Sequence, residues 1–257
     1  MLSHRLIGLC LSLLVHVNAA AESFDVVRVA NGEWPPILSQ HLPGHGPATK
    51  IITEAYTEMG VKVEYGFFPW RRSYELAKTG KWDVTPFWTR TPEREKDFLI
   101  SDNVFSLPSV FLHRLGNDFQ WQQISDLAPY KIGITRGYTY GAEMDQAIRS
   151  GKLHVVESDN DERNIRMLGK GIIDIFPIAL PVGQTLMQTE LNSEERALLT
   201  IHPKPYKVEH YALMFGRQNA KSPMLLKQFN EGLRKLSASG RLGELQQEIN
   251  GKTKVHP

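Results

Sequence analysis

The stretch GKWDVTPFWTRTPEREKDFLISDNVF, residues 80–105, decides the fold. Its first part predicts a short strand over residues 82–87, because a run of mostly apolar residues follows a glycine breaker. Thr91 and Pro92 then have the order of a helix N-terminus, a capping hydroxyl followed by a proline in the first turn. Arg94 is therefore expected one turn into a short helix, just past the carboxyl end of a strand. In open α/β sheets that is where ligands bind.

Arg94 is the candidate anion-binding residue of this stretch. An arginine can donate two parallel hydrogen bonds to one carboxylate, and the hydroxyls of Thr89 and Thr91 are expected nearby. From the residues alone there is an alternative, in which Arg94 is one more solvent-exposed arginine on a helix.

The same stretch resembles a signature of the family 3 periplasmic solute-binding proteins, the polar amino acid binders. Asp83, Thr91, Arg94 and residues 100–102 match it, while residues 103–105 replace the Pro-Tyr with which the family motif ends. The resemblance assigns the ligand-binding role to Arg94. A second match near the chain end is fairly specific, because an asparagine and a glycine fall in phase with an apolar stripe: Phe229, Asn230, Leu233, Leu236 and Gly240.

The resemblance covers residues 24–250 and implies an α/β, two-lobed periplasmic binding protein fold of type II. Each lobe is expected to be a mixed, mostly parallel sheet flanked by helices, with lobe 1 formed by residues 22–112 and 209–257 and lobe 2 by residues 113–208. The alternation of strand and helix patterns along the chain independently favours parallel strands with helical crossovers. The expected strands are 24–30, 61–67, 82–87, 109–113, 131–135, 153–156, 172–176 and 206–215, and the polar residues 120–125 are expected to be a linker.

Aromatic and hydroxyl residues complete the ligand site that the resemblance implies. Trp34, before two prolines, takes the place of the family's ligand-stacking aromatic, and Trp70 is expected to form a second wall. Tyr138 and Thr139 match a lobe 2 loop that binds the ligand carboxylate through hydroxyls and a helix N-terminus. Judged without the resemblance, a tryptophan that follows a strand is more often part of the core.

One departure from the family concerns the ligand's ammonium group. The family has an aspartate four or five residues after the position of Asp174, and this chain has Ile178 and Ala179 there. A buried ammonium group without an acceptor costs several kcal/mol. We therefore expect a ligand other than an ordinary α-amino acid held through its ammonium group, although Glu33 or Glu209 could substitute from lobe 1.

An enzyme is the alternative function, because the same fold serves periplasmic dehydratases similar to cyclohexadienyl dehydratase. Such an enzyme needs a general acid in the cleft. The sequence offers Glu33, Glu209 and His210 for this role, and for the last two a hinge or surface role is the alternative. No catalytic motif supports the enzyme, so a binding protein without enzymatic activity is expected.

The N-terminus predicts export. A basic start, an apolar run over residues 6–17 and three alanines at residues 19–21 are typical of a secretory signal peptide, here residues 1–21. The alternative is an uncleaved anchor helix, although the apolar run is short for a membrane span. Cys10, the only cysteine, follows Leu9 where lipidation would need a small residue. A periplasmic protein that is not lipidated is expected.

Composition restricts the partners. The 257 residues carry a formal net charge of +2 and show no basic stripe, which gives nucleic-acid binding no support. The expected partners are a small anionic or amino-acid-like molecule and an ABC permease or a membrane sensor, and the protein is expected to be a monomer. No cofactor or metal is expected, since His41 and His45 lie in a stretch that Pro43 and two glycines keep from forming a helix.

Overall fold

In the computed structural model, which describes residues 26–116 and 119–251, ten strands form one continuous mixed sheet. The strands are β1 Val26–Asn31, β2 Lys62–Phe67, β3 Val84–Thr89, β4 Phe98–Ile100, β5 Phe105–Arg114, β6 Lys131–Thr135, β7 His154–Ser158, β8 Ile175–Ala179, β9 Leu199–Ile201 and β10 Lys207–Gly216. The helices are α1 Pro47–Thr57, α2 Trp70–Lys78, α3 Pro92–Asp97, α4 Ala142–Arg149, α5 Asp161–Gly169, α6 Leu180–Thr189, α7 Ser193–Ala197, α8 Ser222–Ala238 and α9 Arg241–Gly251. The signal-peptide prediction for residues 1–21 lies outside the described residues.

The sheet has two parallel halves joined by two antiparallel strands. Its order is β2-β1-β3-β10-β5-β8-β6-β7, with β4 also paired to β10 and β9 to β5. Strands β2, β1 and β3 are parallel, as are β8, β6 and β7. We call these the first and second halves of the sheet. Each half consists of strand–helix–strand units of the kind that the sequence pattern predicts.

Strands β5 and β10 connect the halves. They pair with each other from Lys207 opposite Ser109 to Tyr211 opposite Phe105. Beyond this segment β10 pairs with β3 of the first half, and β5 pairs with β8 of the second half. The predicted lobe boundaries, at 112/113 and 208/209, lie in these two strands and remain predictions.

Helices α1, α8 and α9 cover the first half. Ile52 and Tyr56 of α1 and Phe229 of α8 are fully buried, and the rings of Tyr56 and Phe229 lie 5.5 Å apart. Gly232 of α8 allows the close approach, because a Cβ there would lie 1.8 Å from the Ala55 carbonyl oxygen. The apolar stripe near the chain end is therefore a helix–helix packing surface.

The structure corrects several strand boundaries. Strand β3 extends to residue 89 instead of 87, β5 begins at residue 105 instead of 109, and β8 covers residues 175–179 instead of 172–176. Each of these strands contains a proline, which ordinarily argues against strand structure: Pro86, Pro108 and Pro177.

The predicted linker at residues 120–125 is wrong as well. Trp121 and Ile124 are buried and pack around Phe111 in the core of the second half. Spaced among polar residues, these apolar side chains give no periodic signal. Strands β4 and β9 and helices α6 and α7 are further elements that the sequence pattern did not predict; α7 and the two strands are short.

Candidate functional site

Arg94, Thr89 and Thr91 lie together where β3 ends and α3 begins. Thr91 caps α3, since its hydroxyl oxygen accepts a hydrogen bond from the Arg94 backbone N–H at 3.3 Å. The Arg94 side chain folds back, and its Nη1 donates to the carbonyl oxygen of Thr89 at 2.7 Å and to its Oγ1 at 2.6 Å. The local capping signals of the sequence are enough to produce this arrangement.

Arg94 is a buried cation, with only 8% of the residue exposed. Its guanidinium carbon lies 4.9 Å from the centre of the Trp88 ring. Within the described part of the chain no carboxylate lies at ion-pair distance from it, and burial lowers the pKa of Arg94 below its ordinary value. Glu209, Asp145 and Glu93 act on the guanidinium only from beyond ion-pair distance, so burial of this charge is incompletely compensated.

The second half of the sheet touches the first half at this point. Oγ1 of Thr139, in the loop before α4, lies 3.1 Å from Oγ1 of Thr89. Lys207 of β10 donates from Nζ to the Thr139 carbonyl oxygen at 3.2 Å and forms an ion pair with Glu209. The loop that was expected to bind the ligand from lobe 2 is thus in direct contact with the partner of Arg94.

Tyr138 of the same loop binds a residue that the sequence did not single out. Its hydroxyl donates to Oδ2 of Asp161 at 3.1 Å, and the Thr135 hydroxyl donates to Oδ1 at 2.5 Å. Asp161, the first residue of α5, is 7% exposed, and burial raises its pKa to about 6. In the sequence it belongs to the acidic run 159–162, which indicated only a helix N-terminus.

A row of aromatic rings leads away from the site along the joining strands. Trp34 packs against Tyr211 of β10 with ring centres 5.0 Å apart, Tyr211 against Phe105 at 5.2 Å, and Phe105 against Phe87 at 5.0 Å. Trp34 is 8% exposed. Trp34, in the loop after β1, therefore packs against β10, one of the two strands that connect the halves.

Trp70, the predicted second wall of the ligand site, packs against Trp88. Its indole N–H donates to the Glu33 carbonyl oxygen at 2.9 Å, and its ring meets Trp88 edge-on at 5.5 Å. Trp88, on β3, is the aromatic residue that contacts Arg94 directly. The alternation of side chains along β3 would have indicated this contact of Trp88 only if the predicted strand had extended past residue 87.

Phe87 explains why Trp88 and Thr89 face Arg94. Its φ is +63°, a conformation that non-glycine residues rarely adopt and that costs about 1–3 kcal/mol. At the same point the pairing of β3 with β10 shifts register, between Ala212 and Met214. Such a bulge changes the direction in which the following side chains point.

The expected candidates for acid–base chemistry are engaged in other contacts. Glu33 accepts a hydrogen bond from the backbone N–H of Gln40 at 3.0 Å. His210 Nδ1 lies 2.7 Å from the Ser106 hydroxyl, across the pairing of β5 and β10. Ile178 and Ala179, which replace the family's aspartate, lie inside β8.

Two further features can be stated for the described residues. No group of three or more His, Cys, Asp or Glu side chains in residues 26–116 and 119–251 is arranged to hold a metal ion. Across the same residues, every helix is too short or too polar to cross a membrane.

Comparison with solved structures shows the fold. A mutant of ArgBP from T. maritima has a TM-score of 0.72 at 20% identity, over 88% of this chain and 96% of that one. A histidine kinase sensor domain with similarity to periplasmic binding proteins gives 0.72 at 18% identity, over 89% and 97%. The ancestral amino acid-binding protein AncCDT-1, a precursor of cyclohexadienyl dehydratase, gives 0.69 at 20% identity, over 88% and 95%. The chain has the two-lobed, type II periplasmic binding protein fold.

Comparison at the sequence level gives the family. No curated protein sequence matches the chain. The family model described as "Bacterial extracellular solute-binding proteins, family 3" matches residues 29–252, which is most of its length. The chain therefore belongs to family 3 of the bacterial extracellular solute-binding proteins.

Proposed function

We propose that this protein captures a small carboxylate-bearing molecule between its two lobes, for ABC-type uptake or for sensing. The observation that carries the proposal is the buried guanidinium of Arg94, which has no carboxylate at ion-pair distance among the described residues. It lies where Thr89 of the first half meets Thr139 of the second. A carboxylate bound there would supply the missing charge and would contact both lobes at once.

Binding would proceed by lobe closure. A ligand carboxylate would accept hydrogen bonds from Arg94 and from the hydroxyls of Thr89 and Thr139, with Tyr138 beside them and Thr91 fixing the start of α3. Trp34, Trp88 and Tyr211 would cover the rest of the ligand, with Trp70 behind Trp88. Because these groups come from both lobes, the ligand binds the closed form better than the open form and shifts the population toward it.

The membrane partner would bind the closed form of the protein. Solved structures of the same fold include a substrate-binding protein of an amino acid ABC transporter and a histidine kinase sensor domain. We propose a periplasmic, monomeric protein with lobe 1 at residues 22–112 and 209–257 and lobe 2 at residues 113–208, delivering its ligand to an ABC permease or presenting it to a membrane sensor.

A dehydratase-like enzyme is the rival function. It would need a free general acid in the cleft. Glu33 and His210 are held by Gln40 and Ser106, and Glu209 is paired with Lys207. These contacts favour binding without turnover, and incubation with prephenate, followed by its ultraviolet absorbance, distinguishes the two functions.

Arg94→Ala tests the proposal, with Arg90→Ala as the matched control. Arg90 lies four residues before Arg94 in the sequence. It is exposed and forms a surface ion pair with Glu95. A ligand is first found by a thermal-shift screen of small carboxylates and then titrated by calorimetry. Arg94→Ala should weaken it at least ~30-fold, because removing one partner of a buried charge pair costs about 2–5 kcal/mol.

Arg90→Ala should leave the affinity within about threefold, since surface ion pairs contribute little. An Arg94→Ala protein that is folded, by circular dichroism, and still binds within about threefold of the wild type would refute the assigned site.

A further inference from the structure

The end of the second half that lies away from Thr139 carries a group of exposed apolar side chains. Within residues 26–116 and 119–251, the large apolar residues that are exposed are Leu115, Tyr138, Ile172, Leu198 and Val208. Leu115, Ile172 and Leu198, with exposures of 55%, 50% and 45%, lie at this one end. Single apolar residues on a surface are ordinary, whereas a contiguous group indicates an interaction site.

The strand pairing brings these three residues together, and we call them the apolar row. The backbone N–H of Leu115 donates to the Leu198 carbonyl oxygen at 2.7 Å, which continues the pairing of β5 with β9. On the other side of β5, a Cβ added to Gly171 would lie 3.6 Å from the guanidinium carbon of Arg114. Gly171 and Arg114 directly precede Ile172 and Leu115, so the row crosses three neighbouring segments of the sheet about 4.8 Å apart.

Four cations lie at the same end of the sheet: Arg114, Lys131, Lys152 and Lys170. Lys131 begins β6, Lys152 lies two residues before β7, and Lys170 lies two residues before Ile172. In the described part of the chain none of the four forms an ion pair. Their charges are therefore available to a partner.

Carboxylates at this end are engaged in other contacts. Oδ2 of Asp174 accepts a hydrogen bond from the Lys131 backbone N–H at 2.8 Å, and Oε2 of Glu195 accepts one from the Asn192 backbone N–H at 3.3 Å. The exposed Glu194 is balanced in charge by Arg196 of the same helix. The apolar row thus lies among cations that these carboxylates do not pair.

We propose that this end of the second half binds a membrane surface that contains anionic lipids. Such a surface complements both features, because its phosphate groups attract the lysines and the arginine while Leu115, Ile172 and Leu198 enter the boundary of the acyl chains. Each Lys or Arg close to an anionic membrane strengthens binding about fivefold. A second copy of this chain is a poorer occupant, since a two-fold contact would bring the same cations against each other.

The proposed contact leaves the ligand site uncovered. Strand β6 runs from Lys131, beside the apolar row, to Thr135, and the loop after it brings Thr139 onto Thr89 of the first half. A strand of this length spans about 13 Å. Attachment through the apolar row would therefore concentrate the protein at the membrane of its proposed permease or sensor without blocking the residues assigned to the ligand.

Sedimentation with lipid vesicles tests the proposal. The protein is purified in the form that bacteria export, which by the signal-peptide prediction lacks the apolar run 6–17, a segment that would itself enter lipid. Vesicles of phosphatidylcholine alone are compared with vesicles that contain about 30% phosphatidylglycerol, at about 0.1 M salt. We expect at least ~10-fold stronger binding to the anionic vesicles, and weaker binding as the salt concentration rises.

A double lysine variant tests the charges. Lys131→Gln combined with Lys170→Gln should weaken binding to the anionic vesicles ~10- to 30-fold. Lys62→Gln combined with Lys81→Gln is the matched control, because both lysines are exposed residues of the first half and the change in net charge is the same. The control should bind within about threefold of the wild type.

A triple variant tests the apolar row. Leu115→Ser, Ile172→Ser and Leu198→Ser together should weaken vesicle binding at least ~10-fold, with folding checked by circular dichroism. Val208→Ser, which changes an exposed apolar residue of β10, should leave it unchanged.

Three results would overturn the proposal. They are equal binding to the two kinds of vesicle, no binding to either, and a double lysine variant that binds as well as its control. Light scattering that finds a dimer, lost in the triple variant, together with no vesicle binding would assign the apolar row to a second copy and would overturn the proposal as well.

Discussion

Replacing Asp161 with asparagine should stabilise the ligand-free protein at neutral pH. Burial raises the pKa of Asp161 from the ordinary 3.8 to about 6. The folded chain therefore holds this proton more tightly than the unfolded chain does. An acid shifted in this direction makes the free energy of unfolding fall as the pH rises from about 4 to about 6. Below that window the group is protonated in both states and has no effect.

The size of the loss follows from the two pKa values. Each pKa unit corresponds to about 1.4 kcal/mol, so ionised Asp161 lowers the free energy of unfolding by about 3 kcal/mol above pH 6. Asparagine keeps a carbonyl oxygen for the Thr135 hydroxyl and cannot ionise. Rearranging the bond to Tyr138 costs about 1 kcal/mol, which leaves a net gain of about 2 kcal/mol at neutral pH.

Urea unfolding from about pH 4 to about pH 8 measures this effect. The free energy of unfolding of Asp161→Asn minus that of the wild type should increase by about 3 kcal/mol between the two ends of the window. The other titratable groups near Asp161 are Glu162 and the tyrosines Tyr138, Tyr140 and Tyr211, whose pKa values burial raises, so the tyrosines stay protonated throughout. Asp159→Asn is the control and should parallel the wild type.

Parallel curves for Asp161→Asn and the wild type across the whole range would refute the reasoning. They would show that Asp161 gives up its proton as readily in the folded chain as in the unfolded chain.

Three other predictions concern the cleft and its strained strand. Trp34→Phe should remove most of the ligand-induced change in tryptophan fluorescence. Trp121→Phe, in the core of the second half, should leave that change in place; the reverse result would show that the ligand binds away from Trp34. Thr139→Val should weaken binding ~2- to 10-fold by calorimetry, because it deletes the hydroxyl contact with Thr89, and an unchanged affinity would exclude that contact from closure. Phe87→Val should be less stable to urea than Phe87→Leu by about 1 kcal/mol, since a β-branched residue tolerates φ of +63° poorly; equal stabilities would mean that the backbone there has relaxed.

Local signals in the sequence were enough for part of the site. The cap at Thr91, the proline after it and the strand before it bring Arg94 onto Thr89, because all these contacts lie within a few residues. The same holds for α8, whose apolar stripe and Gly232 pack on α1. In both cases the contacts that form the feature follow from a local sequence pattern, a helix cap in one and an apolar stripe in the other.

Other features depend on contacts between distant residues. Trp88, and not Trp70, contacts Arg94, which we attribute to the bulge at Phe87. Nothing in the neighbouring sequence indicates that a phenylalanine there has a positive φ. The contact of Asp161 with Tyr138 joins residues 23 positions apart, and the contact of Thr89 with Thr139 joins residues 50 positions apart. Strands β5 and β8 extend past their predicted bounds across Pro108 and Pro177, residues that are ordinarily disfavoured inside a strand.

The place of β10 in the sheet has a consequence for how the chain folds. Among the described residues it is the last strand in chain order, yet it lies between β3 and β5 in the middle of the sheet. Until it is available, both of those strands have an open edge that can pair with another chain. A truncated chain that stops before residue 207 therefore leaves the edges of both strands available for pairing with other chains. A circular permutant that began with β10, α8 and α9 would supply the central strand first and should give a higher yield of soluble protein on refolding.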